Sequence, residues 1–290
     1  MEIRQLRYFV AIADSGSFSE ASRRCFLSQS AISQQIKLLE EEFKTTLFNR
    51  TSHSVSLTEC GERLLPLARQ ILRDINQCQD QMVDIGTKLS GTLNIGCTFS
   101  LEPYIRRAAT LFIKLHPNVQ LNLHFETIAN MITTLRSGNL DMAFSMIVEG
   151  ETDWVISEPI SQYKLSAIMS DTHPLSQHKS VSINDLRQYG IILPEEGING
   201  SNAIQEYLCE EAAGLSIRAT VNNPSTLLHM LKQTRCISIL SEWQTKGDAE
   251  LRAIPIDEIS DPITTYVHTL KGSYCKRSAQ AFLKILQEQI

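Results

Sequence analysis

Gln29, Ser30, Ser33, Gln34 and Lys37 fall on one side of a helical period, and they offer amides, hydroxyls and a single ammonium. Amides and hydroxyls can hydrogen-bond base edges in a major groove about 12 Å wide, and a lysine can hold a phosphate. The other side of this stretch carries Ile32, Ile36 and Leu39 at i, i+4 and i+7, the spacing of a buried helical face. Ser28 can cap the helix, which then starts at Gln29. Upstream, Ser17-Phe18-Ser19-Glu20 has the form of a capping box. It opens a short helix over Phe18–Cys25, with Phe18, Ala21 and Cys25 on one face, and Leu27-Ser28 breaks the pattern between the two helices. A packed first helix, a tight turn and a polar-faced second helix are the parts of a helix-turn-helix. A helical hairpin with a merely solvated polar face would share this pattern, so the flanking sequence decides.

Ile3–Asp14 reads as a supporting helix with Ile3, Leu6, Phe9, Val10 and Ala13 on one side. Phe43–Val55 carries Phe43, Leu47, Phe48 and Val55 among polar residues, which suits a two-stranded wing. With these flanks, Met1–Val10, Ser28–Glu40, Leu47-Phe48-Asn49-Arg50 and Ser56–Gly61 resemble the LysR-type transcriptional regulators, densely over about the first sixty residues and more loosely to the C-terminus. The resemblance implies an N-terminal winged helix-turn-helix, a long linker helix and a two-lobed α/β effector domain like a periplasmic binding protein. It implies DNA contacts from Ser28, Gln29, Ser30, Ser33, Gln34, Lys37, Arg50 and His53. His53, Ser54 and Ser56 stand where the family often has further basic residues, which lowers the wing's expected grip on phosphate.

The charge of this module is balanced. Arg4, Arg7, Arg23, Arg24, Lys37, Lys44 and Arg50 face Glu2, Asp14, Glu20, Glu40, Glu41, Glu42 and Glu59, seven against seven. DNA-binding modules usually carry a basic surplus. DNA binding therefore needs the charges to segregate, with Glu40–Glu42 away from the duplex, and several modules acting together.

At 290 residues the chain can hold two or three domains, and its 42% apolar content is ordinary for a globular protein. No apolar run approaches the ~18 residues of a membrane span. The first residues enter a helical pattern without a basic-then-apolar leader, so a cytoplasmic protein is expected. The seven cysteines are scattered without a CxxC pair, which points to reduced thiols and away from zinc.

From Thr58 or Glu59 a long helix reaches to about Thr87. Leu64, Ala68, Ile71, Ile75, Cys78, Met82, Ile85 and Leu89 repeat at 4-3 spacing, a heptad seam suited to pairing two chains. Leu72 and Val83 lie off the seam, and Pro66 should bend the helix. The alternative is a helix lying on its own domain. The resemblance implies that this linker pairs subunits, placing two recognition helices on a pseudo-palindromic site as a dimer or tetramer. Domains are expected at 1–58, 59–89 and 90–290.

After Ser90-Gly91 strands and helices alternate: strands over 92–97, 119–125 and 141–147, helices over 101–115 and 128–137. A second set follows, with strands over 165–169, 191–193, 217–221 and 237–240 and helices over 183–187, 201–213 and 225–233. A strand over 263–270 and a helix over 276–288 end the chain. This pattern implies mainly parallel sheets. Lobe I is expected at 90–159 and 256–290 and lobe II at 160–255, with crossings near Pro159 and Pro255.

In such sheets ligands bind beyond the carboxyl ends of strands, at helix N-termini. Thr98, Phe99 and Ser100, Thr127 and Ile128, Asn199, Ser201 and Asn202, and Asn223 occupy four such junctions, rich in hydroxyls and amides and poor in charge. They suit a small polar or anionic effector, although helix capping uses the same residue types. The family commonly uses the first junction, which singles out Thr98 and Ser100. The second lobe is loosely similar to the subgroup of the cyanate-responsive activator, through 205–210, 213–215 and 231–240.

Other functions find less support. Cys209 lies in the region a peroxide-sensing branch uses, but no second cysteine stands near it. Ser170, Asp171 and His173 are close in sequence, yet Asp171–Leu175 resembles a common surface turn, and no nucleophile elbow, P-loop or metal pair appears, so neither an enzyme nor a cofactor is expected. A ligand-binding transport protein fits the second half alone. RNA polymerase is a further partner compatible with this reading.

Overall fold

The computed structural model describes residues 1–50, 55–86, 88–146, 153–195 and 214–288, without the side chain of Val83. The chain divides into two compact units, Met1–Met82 and Val83–Ile290. The helix expected over 201–213 and the end of the strand expected over 141–147 lie outside the described residues. No described helix is long and apolar enough to cross a membrane.

The first unit holds α1 (Ile3–Ser15), α2 (Phe18–Arg24), α3 (Gln29–Phe43), a hairpin of β1 (Phe48–Arg50) and β2 (Val55–Leu57), and α4 (Glu59–Asp84), which runs across the division. Caps define the helix starts. The Ser17 hydroxyl accepts from the Glu20 amide, and that of Ser28 accepts from the Ala31 amide. Leu6, Phe9 and Ile12 of α1, Ala21 of α2 and Ile32, Ile36 and Leu39 of α3 make one core with Leu47 and Phe48. The α3 face assigned inward is fully buried. Gly61 admits α4 to this core, since a Cβ there would collide with the Leu47 carbonyl oxygen.

The heptad seam on α4 divides in two. Leu64, Leu65, Ala68, Ile71 and Leu72 pack on the core of their own unit, whereas Cys78 and Met82 are exposed, and the helix ends at Asp84, short of the expected Thr87, so that the exposed Ile85 lies just beyond it. The alternative of a helix lying on its own domain thus holds for the first half of the seam. In the second half of the seam Met82 is left exposed, while Leu89 packs against the core of the second unit.

Among the described residues the second unit contains three sheets. One has the order β4-β3-β5-β12-β6, from β3 (Gly91–Cys97), β4 (Val119–Phe125), β5 (Met142–Ser145), β6 (Val155–Tyr163) and β12 (Ile263–Leu270). Helices α5 (Glu102–Leu115), α6 (Ile128–Arg136) and α9 (Arg277–Gln287) accompany it, and Phe112 and Phe282 join α5 to α9 edge-to-face at 5.5 Å. A three-stranded sheet has the order β10-β7-β11, from β7 (Leu165–Ser170), β10 (Ser238–Ser241) and β11 (Leu251–Pro255), and β8 (Gly190–Pro194) and β9 (Ser216–Val221) form a two-stranded one beside it. The short helix α7 (Ile183–Leu186) and α8 (Pro224–Gln233) accompany these two. Strands β8 and β9 are parallel, and a bridge from Ile191 to Ile237 joins them to β10.

Three features depart from expectation. Strand β7 pairs antiparallel with both β10 and β11, and β12 is antiparallel to β5 and β6, so the three-stranded sheet is antiparallel and the five-stranded one mixed, where mainly parallel sheets are expected. Strands β6 and β11 were not foreseen. Pro159 falls inside β6, which stays paired with β12 as far as Tyr163, so the chain crosses at Lys164 and not at Pro159. Proline is tolerated there because β6 is an edge strand and its register shifts nearby.

Phe9 is fully buried and stacks 5.4 Å from Phe48. Phe9→Ala should lower the stability of the first unit by about 3–5 kcal/mol. Urea melts should then show an early transition accompanied by loss of DNA binding.

Candidate nucleic-acid interface and effector cleft

The outer face of α3 presents Gln29, Ser30, Gln34 and Lys37 to solvent, with Ser28 exposed at its cap. The Gln29 side-chain carbonyl accepts from the Ser19 hydroxyl at 3.1 Å, which links the two helices at the turn. Lys37 pairs loosely with Glu41 at 3.7 Å. Such exposed pairs are worth little, and both partners can re-aim.

Arg50 is placed differently from a free phosphate ligand. Its guanidinium donates to the Ser33 hydroxyl at 3.2 Å and to Glu40 at 3.1 Å, and it lies 4.6 Å from the Phe18 ring centroid. The other Glu40 oxygen accepts from the amides of Leu47 (2.8 Å) and Phe48 (3.3 Å). Glu40 therefore ties the recognition helix to the start of the wing, and Arg50 and Ser33 are partners of each other. Glu40 faces the wing, Glu41 pairs with Lys37 and Glu42 with the N-terminal amine, while Glu20 pairs with Arg23 and Arg24. Sequence reasoning missed Glu40 as a scaffold residue, because its partners are backbone amides seven and eight residues away. His53 lies outside the described residues.

In the second unit the junction after β3 is tightly built. Thr98 and Ser100 are buried, with their hydroxyls 3.2 Å apart, and the Thr98 amide donates to the Phe144 carbonyl at 3.0 Å. Gln244, in a 3-10 turn at Glu242–Thr245, donates its side-chain amide to the Phe99 carbonyl at 3.1 Å. Gln244 thus bonds from the turn after β10 to the backbone of the junction after β3. Tyr163, at the crossing, packs against Trp243 at 5.4 Å, and burial pushes its phenol up to about 12, with a hydrogen bond to Ser100 pulling the other way. Trp243 also stacks on Tyr104 at 4.8 Å.

Thr127 caps α6 through the Asn130 amide and Asn223 caps α8 through the Thr226 amide, so both hydroxyl and amide groups already serve helix starts. Ile128 is half-buried beside Thr127. Asn199, Ser201, Asn202 and Cys209 lie outside the described residues. Gln244 and Tyr163 were not anticipated, since no local pattern marks a residue whose partner is about 60 or more positions away.

The Ser170, Asp171 and His173 grouping is a turn. The Ser170 hydroxyl meets that of Thr172 at 2.9 Å, and His173 is buried, accepts from the Leu175 amide and packs edge-to-face against Tyr189. Burial lowers the His173 pKa, against a smaller opposing effect of the Arg235 carbonyl. Cys97 is buried and its thiol is pushed well up by burial, with Glu102 adding to this. Among the described residues no cluster of three metal-ligating side chains occurs.

Residues 3–62 match the model of the bacterial regulatory helix-turn-helix protein, lysR family, and residues 86–290 that of the LysR substrate binding domain. The chain belongs to the LysR family. As a LysR regulator it is a DNA-binding transcriptional regulator with a separate effector-binding domain. A hydrogen peroxide-inducible genes activator of Haemophilus influenzae is 28% identical over 255 residues, 88% of this chain and 84% of that protein. The regulator CfxR of Cupriavidus necator is 28% identical over 242 residues, 83% of this chain and 76% of that protein. A full-length OxyR variant from Pseudomonas aeruginosa shares the fold at a TM-score of 0.72 and 21% identity, over 99% of this chain and 95% of that one. Full-length CbnR in complex with its target DNA does so at 0.65 and 20%, over all of both chains.

Truncating Glu40 in this LysR regulator would leave two wing amides and a guanidinium without their acceptor. Glu40→Ala should cost about 1–3 kcal/mol in chemical denaturation, whereas Glu41→Ala should be near neutral.

Proposed function

We propose that Gln29, Ser30 and Gln34 read base edges in the major groove, with Lys37 and the amides at the Ser28 cap on phosphates. Arg50 and Ser33 hold the wing against the recognition helix, and the wing residue His53 is assigned to the backbone on sequence alone. The observation that carries this reading is the α3 geometry: one face fully buried, the other bearing exposed amides, hydroxyls and one cation. Half-site recognition is doubled by pairing through the exposed second half of the α4 seam, giving a dimer or tetramer on a pseudo-palindromic site. The working division is 1–58 for DNA binding, 59–89 for pairing and 90–290 for the effector.

A small polar or anionic effector enters between the lobes. Thr98, Phe99, Ser100, Thr127, Ile128 and Asn223 form its described lining, and Asn199, Ser201 and Asn202 are assigned to it on sequence alone. Gln244 supports this, because it already bonds across from one lobe to the carbonyl of Phe99. A ligand that engages the Ser100 junction competes with or reinforces that bond, which shifts lobe closure and hence the spacing of the paired DNA-binding units. The protein acts in the cytoplasm, without catalysis, and RNA polymerase is its partner at the promoter.

The relatives named for peroxide response suggest thiol sensing as another route. The stretch 196–213 contains a single cysteine, Cys209, so two thiols cannot pair within it. The buried Cys97 thiol is held protonated, and burial also raises Cys25 and Cys275.

Gln34→Ala should lose about 1–3 kcal/mol of discrimination between the selected site and its single-base variants. Lys37→Ala should weaken all duplexes alike and flatten the salt slope. Identical losses on specific and random DNA for both would reject the assignment. Ser100→Ala should abolish the effector response in a reporter assay while leaving basal DNA binding intact, and an unchanged dose response would place the effector elsewhere.

A further inference from the structure

The turn between α2 and α3 contains a residue that neither packing nor turn geometry calls for. Phe26 is 95% exposed and has φ of +55°. The Leu27 amide donates to the Ser22 carbonyl at 2.9 Å and the Phe26 amide to the Arg23 carbonyl at 3.2 Å. These two bonds make the helix C-terminal motif in which the left-handed position is ordinarily filled by glycine or asparagine. A phenylalanine there is strained in the backbone and gains nothing by burial. The core is complete without it, since Phe9, Phe18 and Phe48 are buried. Ile3 and Leu38 of the same unit are only about half as exposed, at 48% and 45%.

Its position supplies a reason. Phe26 stands two residues before Ser28, the cap of α3, and a recognition helix enters the groove by its N-terminal residues. An exposed ring at that end, with Leu27 also exposed beside it, matches an apolar edge of the duplex such as a thymine methyl or a deoxyribose face. We propose that Phe26 is a DNA-contacting residue that packs on such an edge at each half-site. This rests on the DNA-binding function but adds a contact outside the polar face of α3. The backbone strain is the cost of placing an aromatic ring where the turn alone favours glycine.

The test uses the full-length chain and a duplex that it selects from a randomised pool. Phe26→Gly and Phe26→Asn suit the left-handed turn, so their thermal midpoints should equal or exceed that of the wild type. Their affinity for the selected duplex should nevertheless fall about tenfold, while Phe26→Tyr, which keeps the ring, should restore it. Replacing each thymine in turn by deoxyuridine separates the two edges. One position per half-site should weaken the wild type and not Phe26→Gly if the methyl is the contact, and none if the sugar is. Folded glycine and asparagine variants that bind as tightly as the wild type overturn the proposal, including the case in which they lose only promoter activation. A wild type that selects no duplex would instead refute DNA binding itself.

Discussion

Recognition by this protein depends on holding one helix at a fixed attitude, and a single carboxylate does much of that work. Glu40 lies on α3 and accepts from two amides at the start of the wing and from Arg50 at its first strand. Its side chain is mostly buried, at 13% exposure, so these are charge-assisted bonds partly shielded from water. The apolar side of α3 is fixed by Ile32, Ile36 and Leu39, and the polar side is left exposed. A module without net positive charge can still approach a duplex when its acids are spent on internal partners. Glu40, Glu42 and Glu20 are all so engaged.

The second unit uses a different device. The chain passes between its sheets twice, at Lys164 between β6 and β7 and again between β11 and β12. Aromatic packing of Tyr104, Trp243 and Tyr163 lies at the Lys164 crossing, and Gln244 reaches from the same turn as Trp243 to the Phe99 carbonyl. The proposed effector junction and the crossing are thus built from neighbouring residues. The Ser100 carbonyl also lies 3.5 Å from the Gln244 side-chain amide.

Much of this was legible in the sequence because it is encoded locally. The caps at Ser17 and Ser28, the i, i+4, i+7 face of α3 and the alternating strands and helices after Gly91 all depend on neighbours a few residues apart. What escaped depends on distant partners. Arg50 reads as a phosphate ligand until Ser33, Glu40 and Phe18 are brought to it. The heptad spacing on α4 is the same whether Leu64 meets its own core or another chain, and only the fold divides the seam. Strand β6 was hidden by Pro159, and the antiparallel pairing of β7 has no signature in composition.

Interference footprinting of the selected duplex tests the central claim most directly. Methylating guanine N7 alters the floor of the major groove, while methylating adenine N3 alters the minor groove. With α3 seated in the major groove, N7 methylation at two positions about one helical turn apart should block binding by the full-length protein. Interference confined to adenine N3, or a single protected half-site in the assembled protein, would contradict a groove-reading helix presented twice.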